Sequence, residues 1–169
     1  RHPLASREPI VAGAELFGAS GAEADAEMMK LAVKALRRLG CKHIHLDIGH
    51  AGVLHAILDP LGLPGDASHA VVRALKLKDG VALAAAAAGL PEAARKAVAS
   101  LARHYGGAEA LAALRAELGG DPVIAAALAE AESLASVCGA DGVSFDFADV
   151  SGYQYLTGFS FSVYLPNQA

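Results

Sequence analysis

Apolar and polar residues alternate with a period of two in three stretches of this chain, and through most of the rest they recur at helical spacing. The strongest alternation lies near the C-terminal end, in DGVSFDFADVSGYQYLTGFSFSVYLP, from Asp141 to Pro166. There Val143, Phe145 and Phe147 alternate with Ser144, Asp146 and Ala148, as in a half-buried strand. Ser151-Gly152 breaks the run as a turn. Beyond it Tyr153, Tyr155, Thr157, Phe159, Phe161 and Val163 share one face, with Ser160 and Ser162 opposite. Two strands joined by a short glycine-containing connection predict an antiparallel pair, and its polar and aromatic face beside Gly158 suits a small-molecule cleft.

Two further strands are predicted upstream. In Pro9–Gly18, Ile10, Ala12, Ala14 and Leu16 alternate with Val11, Gly13 and Glu15, which leaves one carboxylate on a face. In Lys42–Ile48, Ile44, Leu46 and Ile48 form a buried face while His43, His45 and Asp47 share the other. Between these two strands Ser20 and Glu23 read as a capping box. It opens a helix over 21–39 that stops at Gly40, with Lys30, Lys34, Arg37 and Arg38 toward its C-terminal end.

After AGVLHAIL, a short helix ended by Asp59-Pro60, the chain becomes a series of short helices punctuated by Gly and Pro. Asp66 or Ser68 caps the first, through Leu75. An Ala-rich helix runs from Asp79 to Gly89, Pro91 opens another closed by Gly106-Gly107, and GAEALAALRAEL is bounded by Gly119-Gly120. Asp121-Pro122 supplies an N-cap and N1 proline for a last helix ending at Gly139. Strands at both ends with a helical block at about 60–120 predict an α+β fold, with 1–59 and 121–169 as the core and 60–120 as a helical insertion.

Composition narrows the function classes. With 169 residues, 54% of them hydrophobic, the chain can bury one sizeable core. The longest apolar run, Val81–Leu90, is about half a bilayer span, and residues 1–15 lack a signal-peptide arrangement, so neither membrane nor export is expected. A net charge of −4 and no basic cluster larger than Lys34, Arg37 and Arg38 argue against nucleic acid. Cys41 and Cys138 are far apart and lack metal spacing, which fits a reducing cytoplasm. The opening run RHPLASRE begins with Arg1, as an excised piece of a longer chain does. His43, His45 and Asp47, followed by His50 and His55, offer a metal constellation. Same-face neighbours on a strand lie roughly 6–7 Å apart, however, and no Cys or Glu completes the set, so a polar strand face is the reading adopted and a zinc module the alternative. His104 and Tyr105 read as surface residues.

Three blocks carry a family resemblance. SGYQYLTG (151–158) resembles the histidine-binding signature R-G-L-D-Y-Y-T-G of histidyl-tRNA synthetases. It is still more similar to R-G-Y-H-Y-H-T-G, the form in the synthetase-like regulatory subunits of ATP phosphoribosyltransferase. The run from Arg7 to Gly18 resembles the end of motif 2 of class II synthetases and keeps Arg7, Gly13, Glu15 and Gly18, while the family glutamine falls on Val11. LDIGHAGVLHAIL resembles the L-D-L-G-H-V-G-I stretch of the regulatory subunits, where the synthetases differ. The three blocks together span about a third of the chain.

The resemblance implies a class II aminoacyl-tRNA synthetase-like antiparallel sheet flanked by helices, lacking motif 1 and motif 3. It also implies Glu15, Arg7, Tyr153, Tyr155, Thr157 and Gly158 as histidine or cleft contacts. The departures are chemical. The signature arginine that stabilises charge during adenylation aligns with Ser151, and the second tyrosine with Leu156. Serine supplies no bidentate cation, so adenylation is not expected, and the resemblance to the regulatory subunits implies a protein with no catalytic residues, metal or cofactor of its own. It is expected to assemble with itself and with a short-form catalytic subunit, whose chemistry needs magnesium, and to mediate feedback inhibition by histidine. A fragment of a divergent synthetase is the alternative.

Overall fold

The computed structural model describes residues 11–150 and 152–165. Arg7, the start of the strand expected from Pro9, and Ser151 lie outside them. The elements run α1 (Ala22–Arg38), β1 (His45–His50), α2 (Ala51–Leu58), a 3-10 turn (Asp59–Leu61), α3 (Gly65–Lys76), α4 (Gly80–Ala86), α5 (Glu92–Arg103), α6 (Ala108–Leu118), α7 (Pro122–Val137), β2 (Gly142–Phe145) and β3 (Phe159–Tyr164).

Helix punctuation follows local chemistry. α1 stops where Gly40 takes a φ of 90°. The Cys41 amide then reaches the Leu36 carbonyl and the Gly40 amide the Arg37 carbonyl, a Schellman closure. Asp79 and Asp121 cap α4 and α7, each carboxylate accepting two backbone amides of the first turn. Two expected caps are not formed. α1 begins after Gly21 with no side-chain cap, so Ser20 and Glu23 make no capping box, and α3 begins after Pro64 without help from Asp66 or Ser68. Pro91 occupies the N-cap of α5 rather than its first turn.

The sheet has three strands in the order β2-β1-β3. β1 pairs with β2 in parallel, Asp47 opposite Ser144, and with β3 antiparallel, Asp47 opposite Ser162. The antiparallel pair expected from Asp141–Pro166 is therefore corrected: its two strands do not pair with each other, because β1 lies between them and takes the ladder hydrogen bonds of both. Tyr153–Thr157 is not strand either. Gly152, at a φ of 82°, starts a tight turn whose Tyr155 and Leu156 amides bond back to the Gly152 carbonyl. Val11–Gly18, read as a strand, forms no ladder. It lies exposed, with Val11 and Phe17 each 84% accessible, because alternation makes a strand only when a neighbouring edge accepts it.

The two faces of β1 divide as its pattern predicts. Ile44, Leu46 and Ile48 are fully buried and join one core with Met29 and Val33 of α1, Val53 and Leu54 of α2, Leu101 of α5, Leu114 of α6 and Leu128 and Leu134 of α7. Each such side chain contributes about 1.5–3 kcal/mol by leaving water. The opposite face carries the polar row Ser144, Asp47, Ser162 across three strands.

Candidate functional site

A cleft of about 200 Å³ opens over the polar face. Asp47 and Gly49 of β1 and Ser160, Phe161 and Ser162 of β3 line it, with Asp146 and Asp149 from the segment after β2 and Leu156 from the turn. The strand positions explain its shape. Gly49 stands where a Cβ would come within 2.9 Å of the Asp146 carbonyl oxygen and 3.1 Å of Ser160 Oγ, so only glycine lets the two chain segments approach this closely.

Hydrogen bonds fix the acidic groups. Ser144 Oγ donates to Asp47 at 2.6 Å. Its proton is thereby committed, and His45 Nε2, 2.8 Å away, donates to it in turn. Asp146 is buried; its carboxylate accepts the Ala148 and Asp149 amides at 3.0 and 3.2 Å and pairs with Lys78, whose ammonium also sits 4.6 Å from the centre of the Tyr105 ring. Lys78 reaches in from the α3–α4 link at a φ of 50°. Asp47, Asp146 and Asp149 thus line the cleft, and Lys78, paired with Asp146, offsets one of the three charges, so the lining favours positive ligand groups over phosphates.

A second set of contacts clasps the turn to α2. Tyr153 is buried under it: His55 stacks on the Tyr153 ring at 4.2 Å, and the phenol donates to Asp59 at 3.2 Å. Burial, the Asp59 charge and that bond push the phenol up to about 12, against a smaller opposing effect of Ser68. His55 Nε2 faces the Leu156 carbonyl at 3.0 Å and the Tyr153 carbonyl at 3.2 Å, both acceptors, so it donates; its Nδ1 lies 3.0 Å from Asp59. The Ala51 amide meets the Gly158 carbonyl at 2.8 Å. His50 Nδ1 accepts from the Gly52 amide and so caps α2, while Nε2 faces Glu130 of α7 at 3.5 Å. Nearby, burial first and the Glu130 charge second raise the Asp25 carboxyl, with His50 acting the other way.

Of the residues read as contacts, Tyr153, Thr157 and Gly158 are brought to the β1–α2 junction. Tyr155 points away, 88% exposed, and Glu15 sits in the exposed segment before α1. Tyr153 and Tyr155 do not share a face, because they lie on a turn and not on a strand. His43, His45 and Asp47 do not converge on an ion, and among the described residues no group of three or more His, Cys, Asp or Glu side chains is placed to hold one. The alternation of Ser144 with Phe145 and of Ser160 and Ser162 with Phe161 marked the polar face. Nothing local marked Asp149 or Lys78, whose roles arise from contacts with distant segments, and His55, read with the metal constellation, instead clasps the turn.

A small mixed sheet with helices on its apolar face and a cleft on its polar one is the class II aminoacyl-tRNA synthetase-like architecture. The profile of the family described as Histidyl-tRNA synthetase matches residues 1–169, and the chain belongs to that family. Among its relatives are proteins named ATP phosphoribosyltransferase regulatory subunit. The protein so named from Thiobacillus denitrificans is 41% identical over 159 residues, 94% of this chain and 50% of that one; the one from Paracidovorax citrulli is 36% identical over 165 residues, 98% and 43%. The chain spans about half the length of these relatives. Among solved structures, an ATP phosphoribosyltransferase regulatory subunit/histidyl-tRNA synthetase from Bacillus halodurans C is similar, with a TM-score of 0.72, 26% identity, and coverage of 90% of this chain and 41% of that one. A chain of the ATP phosphoribosyl transferase complex from Thermotoga maritima shares the fold alone, with a TM-score of 0.61 at 16% identity, covering 88% and 53%.

Proposed function

We propose that this chain belongs to a non-catalytic regulatory subunit of ATP phosphoribosyltransferase. It assembles with a short-form catalytic subunit, which supplies the magnesium-dependent joining of ATP to phosphoribosyl pyrophosphate, and transmits feedback inhibition by histidine in the cytoplasm. The observation that carries the reading is the charge of the cleft. Its lining carries the carboxylates of Asp47, Asp146 and Asp149, Lys78 is engaged in an ion pair with Asp146, and the signature arginine of the synthetases is Ser151 here. Adenylation develops negative charge on phosphate, and such a site stabilises the opposite sign. The same carboxylates suit the ammonium and imidazole groups of histidine. For histidine to inhibit, it must bind two states of the assembly with different affinity, typically by about 5–150-fold.

The test is co-purification of the chain with a short-form catalytic subunit, followed by assay of phosphoribosyl transfer with and without histidine. Capture, increased activity and histidine-dependent inhibition are expected. No capture and unchanged activity overturns the regulatory reading. Histidine-dependent pyrophosphate exchange with ATP by the chain alone overturns the non-catalytic one.

A further inference from the structure

A second groove, of about 470 Å³, runs between α3 and the turn and shares no lining residue with the cleft. His69, Arg73 and Lys76 project along one side of α3, at spacings of four and three residues that place them on one helix face. Opposite them stand Gln154 and Tyr155, and Val72, Val150 and Tyr153 form an apolar floor. The Gln154 amide donates to His69 across the groove. Among the described residues no carboxylate lines it, although the chain carries a net charge of −4. Among the described residues Arg37, Lys78, Lys96, Arg103 and Arg115 each pair with a carboxylate, whereas Arg73 and Lys76, like several other surface cations, pair with none. Two uncompensated cations therefore lie beside a tyrosine ring that is almost fully accessible.

We propose that this groove binds a small ligand of the nucleotide class, with its phosphate on Arg73 and Lys76 and its planar heterocycle on Tyr155. Arginine offers a planar fork that matches phosphate oxygens, and lysine adds a point charge without geometric demand. A ring stacks on tyrosine whatever its base identity, and the Gln154 amide carries both a donor and an acceptor for the edge of a heterocycle. The volume falls in the range of about 300–1,000 Å³ usual for small-molecule sites. The site stands on its own residues and not on the regulatory reading.

Isothermal titration of the chain with AMP, pyrophosphate and adenosine separates the two halves of the ligand. AMP is expected to bind more tightly than either part, and less tightly as salt rises. Arg73→Gln and Lys76→Gln should each weaken AMP and pyrophosphate about tenfold or more. Tyr155→Ala should weaken AMP and adenosine about tenfold and leave pyrophosphate unchanged. All three side chains are exposed, so circular dichroism should show an unaltered fold. The proposal is overturned if AMP does not bind at millimolar concentration or if its binding survives the double substitution of Arg73 and Lys76. It is equally overturned if an acidic peptide binds through those two residues while AMP does not, which would assign the groove to a protein surface.

Discussion

Replacing Gly49 by alanine tests the geometry on which the cleft depends. The added methyl would stand 2.9 Å from the Asp146 carbonyl and 3.1 Å from Ser160 Oγ. The serine can rotate, but the carbonyl cannot retreat freely, because the Asp146 amide is bonded to the Ile48 carbonyl at 2.9 Å and its carboxylate holds the Ala148 and Asp149 amides. Nor can Gly49 move, since β1 is the central strand. Overpacking of this kind costs about 1–3 kcal/mol, and replacing a strand glycine by alanine returns about 0.5–1 kcal/mol of backbone entropy. A net loss of about 1–2 kcal/mol corresponds to a fall in Tm of about 2–8 °C for a chain of this size. Scanning calorimetry of Gly49→Ala against wild type measures it. Gly89→Ala, at an exposed glycine with no neighbour within 4 Å of a built Cβ, is the control and should stay within about 0.5 kcal/mol of wild type. A Gly49→Ala protein melting at or above the wild-type temperature refutes the close approach.

Two predictions concern titration and one the clasp. Because folding raises the Tyr153 phenol from its usual 10 to about 12, its contribution to stability is present below pH 10 and is lost as pH rises toward 12. Ultraviolet titration should show one of the four tyrosines ionising last, and Tyr153→Phe should remove that step. Asp141 accepts the Ile44 amide at 2.8 Å and pairs with Arg37, and these two contacts, in that order, hold its carboxyl below the ordinary value. Its stabilisation is therefore present above the unfolded pKa and is lost as pH falls through the folded one, so Asp141→Asn should flatten the acid limb of a stability profile. His55→Ala removes both the ring stack and the bonds to Leu156 and Tyr153, and hydrogen exchange should speed in the turn 152–158 while β1 stays protected.

Much of this fold is legible because its signals are local. Apolar spacing with Gly40, Pro91, Asp121 and Gly139 at the ends delimits helices, and Ile44, Leu46 and Ile48 declare a buried strand face. Pairing is not local. Alternation around Phe145 and Phe161 describes two strands equally well whether they neighbour each other or flank a third, and only the tertiary arrangement inserts β1 between them. The alternation continued through Tyr153 and Tyr155 by coincidence of composition, while Gly152 turned the backbone. Val11–Gly18 has the pattern of a strand without an edge to join. In the cleft, Asp47 was visible as part of a polar face. Its meeting with Asp146 and Asp149 was not, and neither was the reach of Lys78 from another helix pair, because such convergence is set by packing and leaves no spacing to read.

The order β2-β1-β3 also governs how the chain reaches its native state. β1 has no sheet partner close in sequence: Asp47 finds Ser144 across 97 positions and Ser162 still later. Its exposed ladder groups must wait while six helices are made, and the parallel β1–β2 pairing closes a long loop before any sheet contact rewards it. The helices after β1, rich in local contacts, are expected to form first and to shelter Leu46 and Ile48 in the interval. On a ribosome β1 cannot pair with β2 or β3 until residues 142–164 have emerged, so the cleft forms only after the six helices between β1 and β2 have been made.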